Sequence, residues 1–221
     1  MIDWKGNNVP YSADFNDIYF SVEDGLAESK AVFLDGINAP EVWIGKKEFT
    51  ICELGFGTGL NFFNCLKLWL DHSSEDQILN YMATELYPLT RAEILKAVHW
   101  PELSKYKEAF LVNYPSAEMA LFEGRVKFRL LEGDSAAELS KINETVDAWF
   151  MDGFAPSKNP DMWSDKVFKE MARLSSQSSK VTTFTAAGFV RRGLNDVGFI
   201  MSKRPGYGRK REMLCGEYHG T

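Results

Sequence analysis

A glycine-rich turn constrains the fold of this chain more than any other feature. The apolar run Phe49–Leu54 contains one acid, Glu53, and is followed by three glycines at alternate positions, Gly55, Gly57 and Gly59. Beyond the glycines, apolar residues recur at helical spacing. This order predicts a strand, a tight turn and a helix start, which together form the first unit of an α/β nucleotide-binding sheet. Glycines let such a turn approach a ligand, and a helix N-terminus offers unpaired N–H donors there.

The spacing of these glycines separates two classes of nucleotide-binding protein. A dinucleotide fingerprint needs Gly-x-Gly-x-x-Gly, and here Leu60 stands where the third glycine would be. The pattern Glu-x-Gly-x-Gly-x-Gly after a first strand resembles instead the first motif of class I S-adenosylmethionine-dependent methyltransferases. A glycine turn that holds no ligand is the simpler alternative. The resemblance implies S-adenosylmethionine as the cofactor, bound beside the turn by Gly55, Phe56, Gly57, Gly59 and Asn61.

The composition is that of an ordinary globular protein. Its 221 residues are 45% hydrophobic and 25% charged, which predicts one domain with a substantial core. No apolar run approaches the roughly 20 residues that span a bilayer, and the first residues do not resemble a signal peptide. The three cysteines and three histidines are scattered. We therefore predict no metal site and a reducing, cytoplasmic setting.

The charge is distributed unevenly along the chain. The net charge of -6 alone argues against a nucleic-acid partner. From Arg191 to the C-terminus, however, basic residues outnumber acidic ones. This basic end either carries an RNA backbone on one face or is a solvated charge run, and charge alone leaves both readings open.

Segments of strand and helix character alternate regularly from Phe49 onward. Strands are predicted at 49–54, 78–84, 126–131, 146–151, 180–185, 199–203 and 211–217. The first helix follows the glycine turn, and later helices are predicted at 90–98, 136–142, 165–174 and 189–197. Residues 101–124 are predicted to form a helix plus a connection. The link 205–208 is too short for a parallel crossover. We therefore predict a Rossmann-like α/β fold with a seven-stranded, mostly parallel sheet that ends in an antiparallel hairpin, as in class I methyltransferases.

Residues 1–48 lie outside this alternation. Asp17–Ser21 and Lys30–Leu34 are short β-prone runs. We predict that residues 1–48 form a small β lead-in that packs on the core domain 49–221 and covers its site. Asp17 and Tyr19 either face a ligand there or are ordinary strand residues, and no motif decides between these readings.

Four acids fall at the predicted carboxyl ends of strands, where open α/β sheets bind ligands. They are Glu53, Glu85, Asp134 and Asp152. Each alone is most simply a solvated loop residue or a helix cap. Together they suit a nucleoside ligand, with Glu85 on the ribose hydroxyls, Asp134 on an adenine amino group, and Glu53 near the cofactor's amino-acid end.

The stretch Asp152–Trp163, with sequence DGFAPSKNPDMW, is the most specific in the chain. Further motifs accompany it: ELGFGTGLNF at 53–62, FTAAGFVRR at 184–192, GYGRKREM at 206–213 and FNDIYFS at 15–21. Together they resemble the methyltransferase module of the bacterial MnmC family. That family completes 5-methylaminomethyl-(2-thio)uridine at wobble position 34 of certain tRNAs.

The resemblance implies a tRNA methyltransferase that acts on the amine of 5-aminomethyl-(2-thio)uridine. It implies a catalytic role for Asp152, which would take or hold the proton of the amine, and for Phe154, on which the unstacked base would rest. Lys158, Arg209, Lys210 and Arg211 would then bind tRNA phosphates. The family's flavin-dependent oxidoreductase domain is absent from this sequence, and its oxidative step is not implied.

Two alternatives from other functional classes remain open at this point. One is a nicotinamide-dependent oxidoreductase, against which Leu60 and the closing hairpin count. The other is a non-catalytic RNA-binding module on the same fold. The loop that begins at Asp152 counts against it, because a binding module has no need of that loop.

Overall fold

The computed structural model describes residues 2–5, 9–21, 24–208 and 210–220 and builds them around two sheets. The small antiparallel sheet contains β1 (Ile2–Lys5), β2 (Val9–Ser12) and β3 (Asp17–Ile18). The large sheet contains β4 (Glu48–Leu54), β5 (Ile78–Glu85), β6 (Glu118–Leu121), β7 (Val126–Glu132), β8 (Val146–Met151), β9 (Ser175–Thr183), β10 (Phe199–Pro205) and β11 (Glu212–Tyr218). The helices are α1 (Gly25–Ser29), which a π-helical segment (Lys30–Leu34) continues, α2 (Leu60–His72), α3 (Arg91–Ala97), α4 (Ser104–Leu111), α5 (Ser135–Leu139), α6 (Asp165–Leu174) and α7 (Gly188–Asp196).

The order of strands in the large sheet is β10-β11-β9-β8-β4-β5-β7-β6. The five central strands from β9 to β7 are parallel, whereas β6 and the β10–β11 pair run antiparallel to their neighbours. From β4 the chain proceeds outward through β5 to β7, and it then returns to β8 on the other side of β4. Open α/β sheets bind their ligands beyond the carboxyl ends of the strands at such a switch point. The topology therefore places the ligand site beside the ends of β4 and β8.

Strand β4 alternates between the two hydrophobic layers of the protein. Phe49 and Ile51 pack on the side of α2 and α4, whereas Cys52 and Leu54 pack on the side of α5, α6 and α7. The two-residue period of a strand directs Glu53 to the α2 side as well. Glu53 therefore occupies a position where the pattern of the strand predicts a core residue.

An aromatic cluster forms the centre of the layer under α2. Phe62 is fully buried, and its ring centroid lies 4.9 Å from those of Tyr81 and Phe128 and 5.4 Å from that of Phe110. Phe56, directly after the first glycine of the turn, joins the same cluster, with its centroid 5.2 Å from that of Phe128. The packing of the cluster thus fixes both the start of α2 and the turn before it.

We expect Phe62→Ala to lower the free energy of unfolding by about 3–5 kcal/mol, because it leaves a cavity within well-packed aromatic rings. Denaturant unfolding followed by circular dichroism measures the change. Val112→Ala is the control, since Val112 is 70% exposed, and it should stay within about 0.5 kcal/mol of the parent. A loss below 1 kcal/mol for Phe62→Ala would show that the cluster does not stabilise the turn.

The structure confirms the predicted alternation of strands and helices from Phe49 onward and the closing antiparallel hairpin. Strand β11 pairs antiparallel with β10 on one side and with β9 on the other. Among the described residues, no helix has both the length and the apolar content needed to cross a bilayer.

The predicted count of seven strands is wrong, because the large sheet has eight. The additional strand, β6, lies in the segment 101–124, for which only a helix and a connection were predicted. Its alternate residues Met119 and Leu121 are buried while Glu118 and Ala120 are exposed. With four residues it carries too short a pattern to be distinguished from a loop, and its pairing with β7 decides its conformation.

Two local predictions are also wrong. Lys30–Leu34 is helical, because Asp24 caps α1 by accepting a hydrogen bond from Ala27 N, and the helical segment buries Val32 and Phe33 against the sheet. The predicted strand over Asp17–Ser21 is reduced to the two residues of β3.

Candidate active site

A cavity of about 570 Å³ lies at the carboxyl ends of the parallel strands. Its lining includes the glycine turn, the segments that follow β5, β7 and β8, and the N-terminal lead-in from Phe15 to Phe33. Its volume lies in the usual range for small-molecule and cofactor sites. Residues of the lead-in therefore form part of the wall of the cavity.

The glycine turn is tied to the end of β5 by backbone groups. The N–H groups of Gly55 and Phe56 both donate to the carbonyl oxygen of Thr84, each at 3.0 Å, and Gly57 N donates to Glu85 Oε2 at 2.8 Å. Gly55, Gly57 and Gly59 all have positive φ. A Cβ atom on Gly55 would lie 2.4 Å from the carbonyl oxygen of Asp152. This position therefore requires glycine for both conformation and space.

Glu85 ends β5 and lines the cavity, where the sequence places the acid that holds a ribose. Its Oε1 accepts a hydrogen bond from Tyr87 N at 2.9 Å, in addition to the bond from Gly57 N. Burial raises the pKa of Glu85, although its backbone hydrogen bonds oppose this shift. A carboxylate has about four acceptor sites, so Glu85 keeps acceptor capacity for a hydroxyl of a ligand.

Asp134 also lines the cavity, but part of its hydrogen-bonding capacity is used within the protein. Its Oδ1 accepts from Ala137 N at 3.0 Å and caps α5. Ser135 begins the helix and places its Oγ 2.8 Å from Thr84 Oγ1. The second oxygen of Asp134 is the one suited to an amino group of a ligand.

Two acids lie on either side of the side-chain amide of Asn61. Asn61 Nδ2 donates to Asp152 Oδ2 at 2.6 Å and to Glu53 Oε1 at 2.7 Å. Tyr81 donates its hydroxyl to Glu53 Oε2 at 2.9 Å. Asp152 and Asn61 line the cavity, whereas Glu53 is fully buried and does not. Of the four strand-end acids, Glu53 is therefore the one that stands behind the cavity wall.

The two acids differ in how readily they ionise. Burial raises the pKa of Asp152 to about 7, the hydrogen bond from Asn61 opposes this shift, and the carboxylate of Glu28 adds to it. Burial and the neighbouring charge of Asp152 raise the pKa of Glu53 well above its usual range. Perturbed carboxyl groups in a cavity are candidates for proton transfer, and Asp152 is the one in contact with the cavity.

The lead-in contacts the loop after β8 directly. The ring of Phe15 stacks on that of Phe154 with centroids 4.6 Å apart, and Tyr19 meets Phe154 edge-on at 5.1 Å. Asp17 Oδ2 accepts from Ala155 N at 3.2 Å, and its Oδ1 pairs with Lys158 Nζ at 3.1 Å. Aromatic packing and an ion pair thus join two segments that are distant in sequence.

The basic residues predicted to bind RNA lie in different settings. Lys158 also donates to Asn16 O at 2.5 Å, so its ammonium holds the lead-in. Lys210 lines the cavity, pairs with Glu28 at 3.0 Å and lies 4.5 Å from the ring centre of Phe184. Arg211 is exposed beside it, and Arg209 lies outside the described residues.

Several residues of the site carry no motif of their own that sequence reasoning could use. Phe15, Glu28 and Tyr87 line the cavity, and Tyr81 supports Glu53 from the core. The only sequence signal for the first of them is the stretch FNDIYFS, which contributes to the family resemblance.

The residues present fit S-adenosylmethionine on grounds of space and charge. Gly57 lines the cavity, and without a side chain it leaves its backbone accessible to a ligand there. The acids Glu85, Asp134 and Asp152 around the cavity suit a ligand that carries hydroxyl, amino and sulfonium groups. No group of three potential metal ligands occurs in the described part of the chain.

This open sheet, its glycine turn and its strand-end acids together define a class I methyltransferase. The family model for S-adenosyl-L-methionine-dependent methyltransferases matches residues 101–219, which is more than half of the chain. The chain therefore belongs to this family of methyltransferases, and S-adenosylmethionine is its methyl donor. This membership decides against the nicotinamide-dependent alternative.

Two bacterial relatives are named tRNA 5-methylaminomethyl-2-thiouridine biosynthesis bifunctional protein MnmC. This chain is 43% identical to the relative from Magnetococcus marinus, in an alignment that covers 97% of this chain. It is 44% identical to the relative from Pseudomonas aeruginosa, in an alignment that covers 100% of this chain. These matches cover 33% and 35% of the relatives. The chain thus spans about a third of the length of the relatives it matches.

Two solved structures share the fold. MnmC2 from Aquifex aeolicus superposes with a TM-score of 0.83 at 21% identity, over 97% of this chain and 69% of that one. Precorrin-6y C5,15-methyltransferase from Geobacter metallireducens gives a TM-score of 0.52 at 10% identity, over 98% of both chains. At these identities the likeness is one of fold.

We expect the affinity for S-adenosylmethionine to rise about five- to tenfold from pH 6 to pH 8. The pKa of Asp152 is about 7 in the free protein. A positive sulfonium favours the ionised carboxylate, so binding releases a proton and strengthens as the pH rises. Calorimetric titration across this range measures the effect.

S-adenosylhomocysteine is the matched control ligand, because its sulfur is neutral and its affinity should change less with pH. The Asp152→Asn variant should lose the difference between the two ligands. Equal pH dependence for both ligands in the parent protein would place Asp152 away from the sulfonium.

Proposed function

We propose that this chain methylates the amine of 5-aminomethyl-(2-thio)uridine at wobble position 34 of tRNA, giving 5-methylaminomethyl-(2-thio)uridine. The name of the MnmC relatives supports this substrate. The observation that carries the proposal is the Asp152 carboxyl group, which lines the cavity and lies two residues before the Phe154 ring. The proposal covers methyl transfer alone. A tRNA substrate also favours a cytoplasmic location.

The amine requires a group that handles its proton. An alkylamine is mostly protonated near neutral pH, and its ammonium form has no lone pair with which to attack. When bound, S-adenosylmethionine supplies an electrophilic methyl group with a thioether as the leaving group. Asp152 takes a proton from the ammonium before attack and so frees the lone pair of the nitrogen for the new bond, and its pKa of about 7 suits a base at physiological pH.

Asn61 determines how Asp152 meets the amine. Because Asn61 Nδ2 holds Oδ2 of Asp152 at 2.6 Å, the other carboxyl oxygen is the one to accept the proton. Holding the nucleophile in line with the methyl group supplies much of the remaining rate. This alignment depends on the loop after β8, which Asp17 supports through Ala155 N.

Phe154 is the proposed platform for the base. Unstacked bases of single-stranded RNA commonly rest on aromatic rings. Phe154 already stacks on Phe15 with an interplanar angle of 23°. The ring centroid of Tyr87 lies 6.4 Å from that of Phe15, and Tyr87 is 57% exposed. These rings at the cavity rim suit a pyrimidine turned out of the anticodon loop.

The proposed RNA-binding residues are Arg209, Lys210 and Arg211, which lie between β10 and β11 in the sequence. Lys210 lines the cavity, which supports a tRNA backbone that passes over the mouth of the site. Lys158 contributes indirectly, since its ion pair with Asp17 holds the lead-in against the loop after β8. Such contacts supply affinity and not sequence reading.

We expect Asp152→Asn to lower the methylation rate by about 10²–10⁴, because the variant cannot accept the proton. Transfer of labelled methyl to tRNA that carries 5-aminomethyl-2-thiouridine measures the rate, with unmodified tRNA as the blank. For the parent, kcat/KM should level off above pH 7. For the variant it should continue to rise towards the pKa of the amine, because only free amine reacts.

Asp134→Asn is the matched control, a carboxyl-to-amide change at the cavity wall. Asp134 is proposed to bind the cofactor equally in the ground and transition states, so kcat should change less than about threefold. Parallel pH profiles for the parent and Asp152→Asn would reduce Asp152 to a cofactor contact.

We expect the double variant Lys210→Ala, Arg211→Ala to weaken tRNA binding and to lower the slope of log K against log salt by about one to two, since fewer counterions are released. Filter binding at several salt concentrations measures this slope. The control is the double variant Lys46→Ala, Lys47→Ala, which removes the same amount of charge. These two residues precede β4, at the amino ends of the parallel strands and away from the cavity. Equal slopes in the two variants would place the RNA surface elsewhere.

A further inference from the structure

Glu53 is a buried acid that the proposed mechanism does not use. It is fully buried, it does not line the cavity, and both of its oxygens have partners within the protein. Asn61 donates to one oxygen at 2.7 Å, and Tyr81 donates to the other at 2.9 Å. An acid in this setting has no free face for the amino-acid end of a cofactor, which is the role that sequence reasoning assigned to it.

The amide of Asn61 transmits the position of Glu53 to the cavity. Its nitrogen carries two hydrogens, and the two acceptors at 2.7 Å and 2.6 Å, Glu53 Oε1 and Asp152 Oδ2, use both of them. Without an acceptor at Glu53, the amide can rotate and present its oxygen to Asp152. Two oxygens that face each other repel, so the hold on Asp152 would be lost.

We propose that Glu53 is a positioning residue, which acts through the Asn61 amide to hold the Asp152 carboxylate, and that it does not contact the cofactor. This inference rests on the proposed function only for the role of Asp152 as the proton acceptor. The chain of contacts runs from Tyr81 in the core, through Glu53 and Asn61, to the cavity.

Titratable groups from several elements face the two acids. Asp152 is faced by Glu28 of α1, by Lys210 from the segment between β10 and β11, and by Glu53 of β4. Glu53 is faced in turn by Asp152, by Glu85 and Tyr81 of β5, and by Cys65 of α2. Burial and the Asp152 charge raise the pKa of Glu53 well above its usual range. A raised pKa favours the neutral form of Glu53, for which glutamine is a close structural equivalent.

The test measures the pKa of Asp152 in the whole chain by NMR titration of carboxyl carbons in aspartate-labelled protein. The Asp152→Asn spectrum assigns the signal. Asn61→Ala removes the hydrogen bond that opposes the raised pKa, so the pKa of Asp152 should increase by about one unit or more. Glu53→Met, which keeps the length but removes the acceptor, should raise it similarly.

Glu53→Gln is the rescue variant, because its amide accepts from Asn61 and donates to the Tyr81 oxygen. It should return the pKa of Asp152 to within about 0.3 units of the parent, a small fraction of the one-unit shift. Combining Glu53→Met with Asn61→Ala should shift the pKa no further than Asn61→Ala alone, since both act through one contact. Cys52→Ala is the control, a buried change at the adjacent position of β4 on its opposite face.

Calorimetry with S-adenosylmethionine at pH 8.5 tests the second half of the proposal, and neither measurement needs tRNA. Glu53→Gln should bind the cofactor within about threefold of the parent, which corresponds to less than 1 kcal/mol. A tenfold or larger loss of affinity in Glu53→Gln would mean that Glu53 contacts the cofactor with its charge. That result would overturn the inference even if Glu53→Met did not fold. An unchanged pKa of Asp152 in folded Glu53→Met, or a lowered one in Glu53→Gln, would overturn it as well. Failure of the parent to methylate tRNA would instead count against the proposed function.

Discussion

Three hydrogen bonds donated by backbone N–H groups join the glycine turn to the end of β5, and the geometry of the site depends on them. They run from Gly55 N and Phe56 N to the Thr84 carbonyl and from Gly57 N to the Glu85 carboxylate. A turn fixed in this way begins α2 at a defined height above the sheet, so Asn61 comes within reach of the end of β8. The absence of a side chain at Gly55 lets the Asp152 carbonyl pass close to the turn. The glycine turn and the loop after β8 are therefore one packed unit.

Burial of acidic groups is the main electrostatic cost of this arrangement. Glu53 lies under α2 in the aromatic layer, and Asp152 lies where the cavity meets the core. Two neighbouring carboxylates in a poorly solvated site repel each other, and this repulsion adds to the raised pKa of Glu53. The donors on Asn61 and Tyr81 satisfy the oxygens and reduce the penalty for burying them. Asp152 is the one of the two acids that lines the cavity.

Sequence reasoning succeeds where a local pattern reports directly on backbone conformation. The glycines at 55, 57 and 59 need positive φ, and all three adopt it. The short link at 205–208 forces the antiparallel pairing of the last two strands. Reasoning fails where packing overrides local preference, as in the four-residue strand β6 and the β-prone run Lys30–Leu34, which is helical. In both segments the local signal is weak, and the contacts that decide come from elsewhere in the chain.

By itself, the sequence determined the α/β alternation, the glycine turn, the methyltransferase class and three acids that line the cavity, because these depend on residue type and order along the chain. The tertiary structure alone decided that the fourth acid, Glu53, lies behind the cavity wall. Glu53 is the penultimate residue of β4, whose alternation directs it into the core, whereas Asp152 follows β8 and begins a loop at the cavity. It also brought Asp17 to Ala155 across 138 residues. A contact of that length has no local pattern, since it exists only when the sheet has placed both segments at the same edge.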